Sequence, residues 1–164
     1  MSERWVVDAS PLILLNKINR LNFLSELSEN LIIPRAVANE LLTYEEDRTA
    51  WETFFLSSPK ITLLKDALII HSNVAGWGLG DGESEVISYA LANAGYETVL
   101  DDLEARKCAA TFNIPLRGTV GIILLAKKKN VIPAAKPLIE ALKGAGLRFS
   151  EDWISSALNL VGEA

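Results

Sequence analysis

Apolar residues fall along the chain in short runs, each closed by a polar or turn residue and followed by a stretch with helical spacing. Trp5-Val6-Val7 stops at Asp8, and Ser10-Pro11 then offers an N-cap and a helix-starting proline ahead of Leu12–Leu15. Polar Ser25–Asn30 leads to the run Leu31–Ile33, then Pro34, then Arg35–Leu42 with Val37, Leu41 and Leu42 at helical spacing. A helix is predicted over Glu45–Phe55 and a short strand over Ile61–Leu64, with Ala67–Ser72 readable as either. The glycine-rich segment Gly76–Gly82 reads as a loop, and Glu83–Ala94 reads as an amphipathic helix with Val86, Ile87, Ala90, Leu91 and Ala94 on one stripe.

Thr98-Val99-Leu100 ends at Asp101-Asp102 and precedes a helix over Leu103–Phe112. Ile114-Pro115-Leu116 reads as an edge strand because proline is poorly tolerated in a central one. Helices over Val120–Lys129, Pro133–Lys143 and Glu151–Leu160 complete the chain. Alternation of strand and helix predicts a three-layer α/β/α sandwich with a central, mainly parallel sheet. It also predicts one domain over residues 1–164, with 133–164 as C-terminal helices packing on it.

Composition narrows the class. With 164 residues, 49% hydrophobic and 23% charged, the chain can bury a core and is not disordered. The longest purely apolar run, Ile122–Ala126, is far short of the roughly 20 residues of a membrane helix, so neither a signal peptide nor an anchor is expected. Cys108 is the only cysteine, which excludes an intrachain disulfide and a cysteine-rich zinc site and points to a reducing cytoplasm. His71 is the only histidine, so histidine-based nucleophilic catalysis has a single candidate base, whereas carboxylates abound. The formal charge of −5 is unevenly spread. From Leu103 to Lys136 seven basic residues face one acid, and that basic stretch, Lys127–Lys129 included, suits either a phosphate-bearing partner or a solvated helix end.

Several acids stand where parallel α/β sheets place their sites, at the carboxyl ends of strands. Asp8 closes the first strand, Asp101 and Asp102 close a later one, Glu83 opens a helix after the glycine-rich loop, and Glu40 borders an apolar helix face. Converging carboxylates repel one another and are stable as anions only around a cation. Magnesium or manganese suits such oxygen donors and bridges to phosphate oxygens, which makes metal-assisted phosphodiester hydrolysis the natural chemistry. Each acid also has an ordinary use: a turn acid at residue 8, a solvated acid at 40, a first-turn charge at 83, and helix caps at 101 and 102. The glycines of 76–82 match neither a dinucleotide fingerprint nor a Walker loop. The four tryptophans lie too far apart in sequence to suggest a base-stacking platform and read as packing residues.

Five segments in order carry a resemblance: Val6-Val7-Asp8-Ala9-Ser10 with Leu12-Ile13, Pro34–Leu41, Gly80–Ile87, Val99–Asp102 with Ala105-Arg106, and Gly118–Gly121. Together they resemble the successive motifs of PIN-domain proteins, most closely a prokaryotic PIN-like branch known as a domain of unknown function. The resemblance implies a metal-dependent endoribonuclease, often the toxin of a toxin–antitoxin pair, with Mg2+ or Mn2+ as cofactor, RNA as substrate and an antitoxin protein as partner. It implies Asp8, Glu40, Glu83, Asp101 and Asp102 as catalytic and metal-binding positions, and Ser10, Thr119 and Arg106 as supporting or substrate-binding ones. Glu83 departs from the family's usual Asp. The rival readings are a catalytically silent PIN-like module that binds RNA or protein, and a nucleotide-binding regulatory domain. Four consecutive large aliphatics, Ile122–Leu125, point around most of a helix and predict a homodimer that covers part of them.

Overall fold

The computed structural model describes residues 3–163. Five strands, β1 (Glu3–Val7), β2 (Ser28–Ile33), β3 (Ile61–Leu63), β4 (Glu97–Val99) and β5 (Leu116–Arg117), form one sheet of order β3-β2-β1-β4-β5. Every pairing is parallel, with Trp5 opposite Leu31 on one side and Glu97 on the other. Side chains alternate between faces along a strand. Trp5, Val6 and Val7 are nevertheless all fully buried, so both faces of the central strand are covered. The predicted α/β/α sandwich is therefore the observed architecture.

The helices are α1 (Ala9–Lys17), α2 (Asn22–Leu27), α3 (Arg35–Leu41), α4 (Glu45–Phe55), α5 (Ser72–Ala75), α6 (Asp81–Ala92), α7 (Leu103–Thr111), α8 (Thr119–Lys128), α9 (Lys136–Gly144) and α10 (Glu151–Asn159). Because β2 and β4 flank β1 on opposite sides, the chain reverses direction across the sheet between β1 and β4. In open parallel sheets a crevice forms at that switch, beyond the carboxyl ends of the strands.

Three local expectations need correction. Helix α2 was not foreseen: Phe23, Leu24 and Leu27 bury its inner face, while the polar stretch 25–30 straddles its end and the start of β2. Residues 67–71 form neither helix nor strand. Their backbone N–H groups turn instead to side chains of α6, Leu68 donating to Glu85 Oε1 at 3.0 Å and His71 to Ser88 Oγ at 3.2 Å. Ser10 is not the cap of α1; Asp8 occupies that position, and Ser10 is exposed.

The argument for a dimer also loses its premise. Ile122 and Ile123 are fully buried, Leu125 is buried, and Leu124 packs against the core, with Ile139, Leu142, Ile154 and Leu158 of the last two helices joining the same cluster. The apolar run of α8 is covered within the chain. Among the described residues no helix is long and apolar enough to cross a membrane.

Candidate functional site

A cleft of about 520 Å³ opens at the switch point, lined by Asp8, Glu40, Asp81 and Glu83, with Lys17 at its edge and Leu147 closing it. Asp8 is placed by the end of β1, where its N–H donates to Val99 O of β4 at 3.1 Å. That bond ties the first acid to the strand that ends at the Asp101-Asp102 pair. Asp8 is only 5% exposed. Burial, with the like charges of Glu83, Glu40 and Asp101 adding to it against a hydrogen bond from Ala9, pushes its carboxyl up to about 7. Burial and the neighbouring charges of Asp102 and Glu40 push Glu83 in the same direction.

Helix α6 can approach this close because residue 82 has no side chain. A methyl group there would lie 3.2 Å from Asp8 Oδ1, 3.3 Å from Val37 Cγ2 and 3.6 Å from Glu40 Oε2. Two acids from distant parts of the chain thus reach toward one point on α6. Glu83 sits in the first turn of that helix and accepts the Gly80 N–H at 3.3 Å, so its ordinary capping role is also real. Glu85, two residues on, is buried and accepts N–H groups from Ala36 at 2.9 Å and Leu68 at 3.0 Å. It therefore fixes the start of α3, the helix that carries Glu40.

Ser10, exposed in the first turn of α1, also lines the cleft, whereas Asp101, Asp102, Thr119 and Arg106 lie beside it. Both oxygens of Asp101 are held by Thr119, the N–H donating at 2.8 Å and the hydroxyl at 2.5 Å. Thr119 is fully buried and acts on Asp101 alone. Asp102 caps α7 by accepting the Ala105 N–H at 2.9 Å. Arg106 donates to Leu100 O at 2.9 Å and, with Asp101, lines a second groove that shares Leu147 with the cleft. His71 is exposed and caps the short α5 through Nδ1, which accepts the Asn73 N–H at 3.2 Å. Lys127–Lys129 lie at the far end of α8, about 12 Å along the helix from Thr119 at 1.5 Å per residue. The basic stretch is accordingly split, with only Arg106 and Arg117 near the acids.

Sequence reasoning missed Asp81, Lys17, Glu85 and the 145–147 segment. Asp81 shares the first turn of α6 with Glu83 and could have been found by the same argument. The approach of residues 145–147 depends on how α9 docks, and no local pattern announces it. Among the described residues no three His, Cys, Asp or Glu side chains are gathered tightly enough to cage an ion. Asp8 and Glu40 approach one point on α6, while Glu83, Asp101 and Asp102 are each engaged by a backbone N–H of their own.

Fold and site together define a parallel α/β protein with an acidic cleft at its topological switch. The chain belongs to the PIN-domain family, whose model matches residues 4–163. No curated protein matches it.

Proposed function

We propose that this protein is a divalent-metal-dependent endoribonuclease. The observation that carries the reading is the buried Asp8, its proton held to about pH 7 in a cleft edged by Glu40 and Glu83. Such a carboxyl is unstable as an anion without a counter-charge, and an all-oxygen donor set suits magnesium or manganese. Asp8, Glu40 and Glu83 would hold the metal, with Asp101 beside them. Bound there, it would activate water and offset charge on the scissile phosphate. The chain's own residues supply the rest. Thr119 keeps Asp101 from rotating, Glu85 sets the start of α3, Gly82 lets α6 come close to Asp8 and Glu40, and Lys17 offers a cation at the rim.

The toxin role and an antitoxin partner come to this reading from the family alone. Growth arrest on expression, lost in Asp8→Asn, tests them. The catalytically silent module stands as a second reading, favoured by the spread of the acids and by the capping duties of Asp101 and Asp102. Incubating single-stranded RNA with the protein in manganese, and with Asp8→Asn, decides between them. Manganese-dependent cleavage that disappears in the variant supports the enzyme. RNA binding without cleavage supports the module.

A further inference from the structure

Beside the acidic cleft runs a larger groove of about 1180 Å³, bounded by β5, α8 and α10. We propose that this groove binds single-stranded RNA, with Trp153 and Phe149 receiving bases and Arg148 and Arg106 receiving phosphates. The proposal deepens the ribonuclease reading and rests on it for the kind of nucleic acid bound.

Continuity is the first observation. Leu147 lines both the groove and the cleft, and Asp101 lines the groove while its charge acts on Asp8. A strand whose phosphate sits in the cleft has this groove as its adjoining path. Its volume exceeds the roughly 300–1,000 Å³ of pockets that enclose one small molecule, so it has room for more than one nucleotide.

Charge is the second. Glu97 is engaged by Arg117 at 2.8 Å and by the Trp5 indole at 3.0 Å, which leaves Asp101, at the cleft end and held by the neutral Thr119, as the lining acid that keeps its charge. Arg117 also faces Glu3 at 3.6 Å, so its charge is matched. Arg148, by contrast, is exposed and has no acid partner among the described residues. Arg106 directs Nη1 at one carbonyl and is otherwise without an acid partner there. The cations left over suit a polyanion.

The third is the aromatic pair. Trp153 is 49% exposed although Trp5 and Trp51 are buried in the core. Its ring lies 5.9 Å from that of Phe149 at a tilt of 32°. An open indole backed by a second ring beside free arginines is the combination with which single-stranded nucleic acids are held without sequence readout. Proximity in the fold achieves what spacing in the sequence did not suggest.

The test measures binding in EDTA, where metal-dependent cleavage is absent. A short fluorescein-labelled single-stranded RNA is titrated with wild type, Trp153→Leu and Arg148→Gln, reading anisotropy and tryptophan fluorescence. Trp153→Leu is expected to weaken binding about tenfold, the order of one lost stacked base, and to abolish the quench that RNA causes in the wild type. Arg148→Gln is expected to lower the slope of log affinity against log salt by about 0.7, one phosphate contact on a single strand. No binding by the wild type, or equal affinity and salt slope in all three proteins, overturns the proposal. A dimer that Trp153→Leu converts to a 17.9 kDa monomer with RNA affinity unchanged also overturns it, and makes the groove an interface between copies. Weakened binding by both variants with no manganese-dependent cleavage by the wild type upholds the groove and removes the nuclease. Asp8-dependent cleavage with normal binding by both variants does the reverse.

Discussion

Replacing Asp8 by Asn should stabilise the metal-free protein above neutral pH. The shift of the Asp8 carboxyl from 3.8 to about 7 spans about 3 pH units, which at 1.36 kcal/mol each amounts to about 4 kcal/mol. The sign follows from proton binding. Between about pH 4 and 7 the folded state keeps a proton that the unfolded chain has released, so the contribution of Asp8 to stability is fully present below about pH 4 and is lost as pH rises through 7. At pH 8 the wild type carries the whole penalty. Asn carries none, and its side-chain oxygen can still accept the Ala9 N–H, whose effect is already contained in the shift. The gain is therefore about 4 kcal/mol, or roughly 8–16 °C in Tm for a chain of this size. At pH 5 more than half of the penalty has gone, and the two proteins should agree to within about 2 kcal/mol. Calorimetry in EDTA at both pH values reads the difference, and titrating groups away from the cleft cancel between the variants. A lower Tm for Asp8→Asn at pH 8, or the same gain at both pH values, would refute the reasoning. Excess manganese should reverse the order at pH 8, since it would bind and stabilise the wild type alone.

Thr119→Val keeps the backbone N–H but removes the hydroxyl that Asp101 accepts at 2.5 Å. We expect a loss of about 1–2 kcal/mol in urea unfolding and a lower cleavage rate, with RNA affinity unchanged. Glu85→Gln leaves a buried amide that cannot accept from both Ala36 and Leu68, so the urea midpoint should fall by an amount equivalent to about 1–3 kcal/mol, and amide exchange in residues 64–71 should quicken. Changing Lys127, Lys128 and Lys129 together to Gln should leave the salt slope of RNA binding unchanged, because they sit at the end of α8 away from the acids.

Strands and most helices were legible because their apolar runs and caps are local. The edge position of β5 could be read from Pro115, whose carbonyl accepts the Thr98 N–H at 2.9 Å while the ring offers no donor to the outer side. The acids could be found at strand ends, since parallel topology puts them at one edge of the sheet. Their division of labour could not. Whether Asp102 faces a helix or the cleft is decided by the turn into α7, and Asp101 is claimed by a threonine 18 residues later. Trp153 reads as packing in the sequence because four scattered tryptophans say nothing about which of them the fold leaves open. Residues 67–71 resist assignment because the N–H groups of Leu68 and His71 go to α6 side chains, a solution that leaves no periodic trace.

The strand order also governs when this protein can fold during synthesis. β1 is made first, yet it lies at the centre of the sheet, and one of its two neighbours is β4. The Trp5 indole waits for Glu97, 92 residues later, and Asp8 waits for the Val99 carbonyl. At about 5–20 residues per second, translation alone separates the two by about 5–18 s. Throughout that interval Trp5-Val6-Val7 presents one bare, apolar edge to whatever the nascent chain meets. The acidic cleft cannot assemble on a ribosome that has not yet passed β4. Any chain released before that point lacks the cleft and keeps the edge bare, and synthesis of β4 and the segments after it completes the one and covers the other.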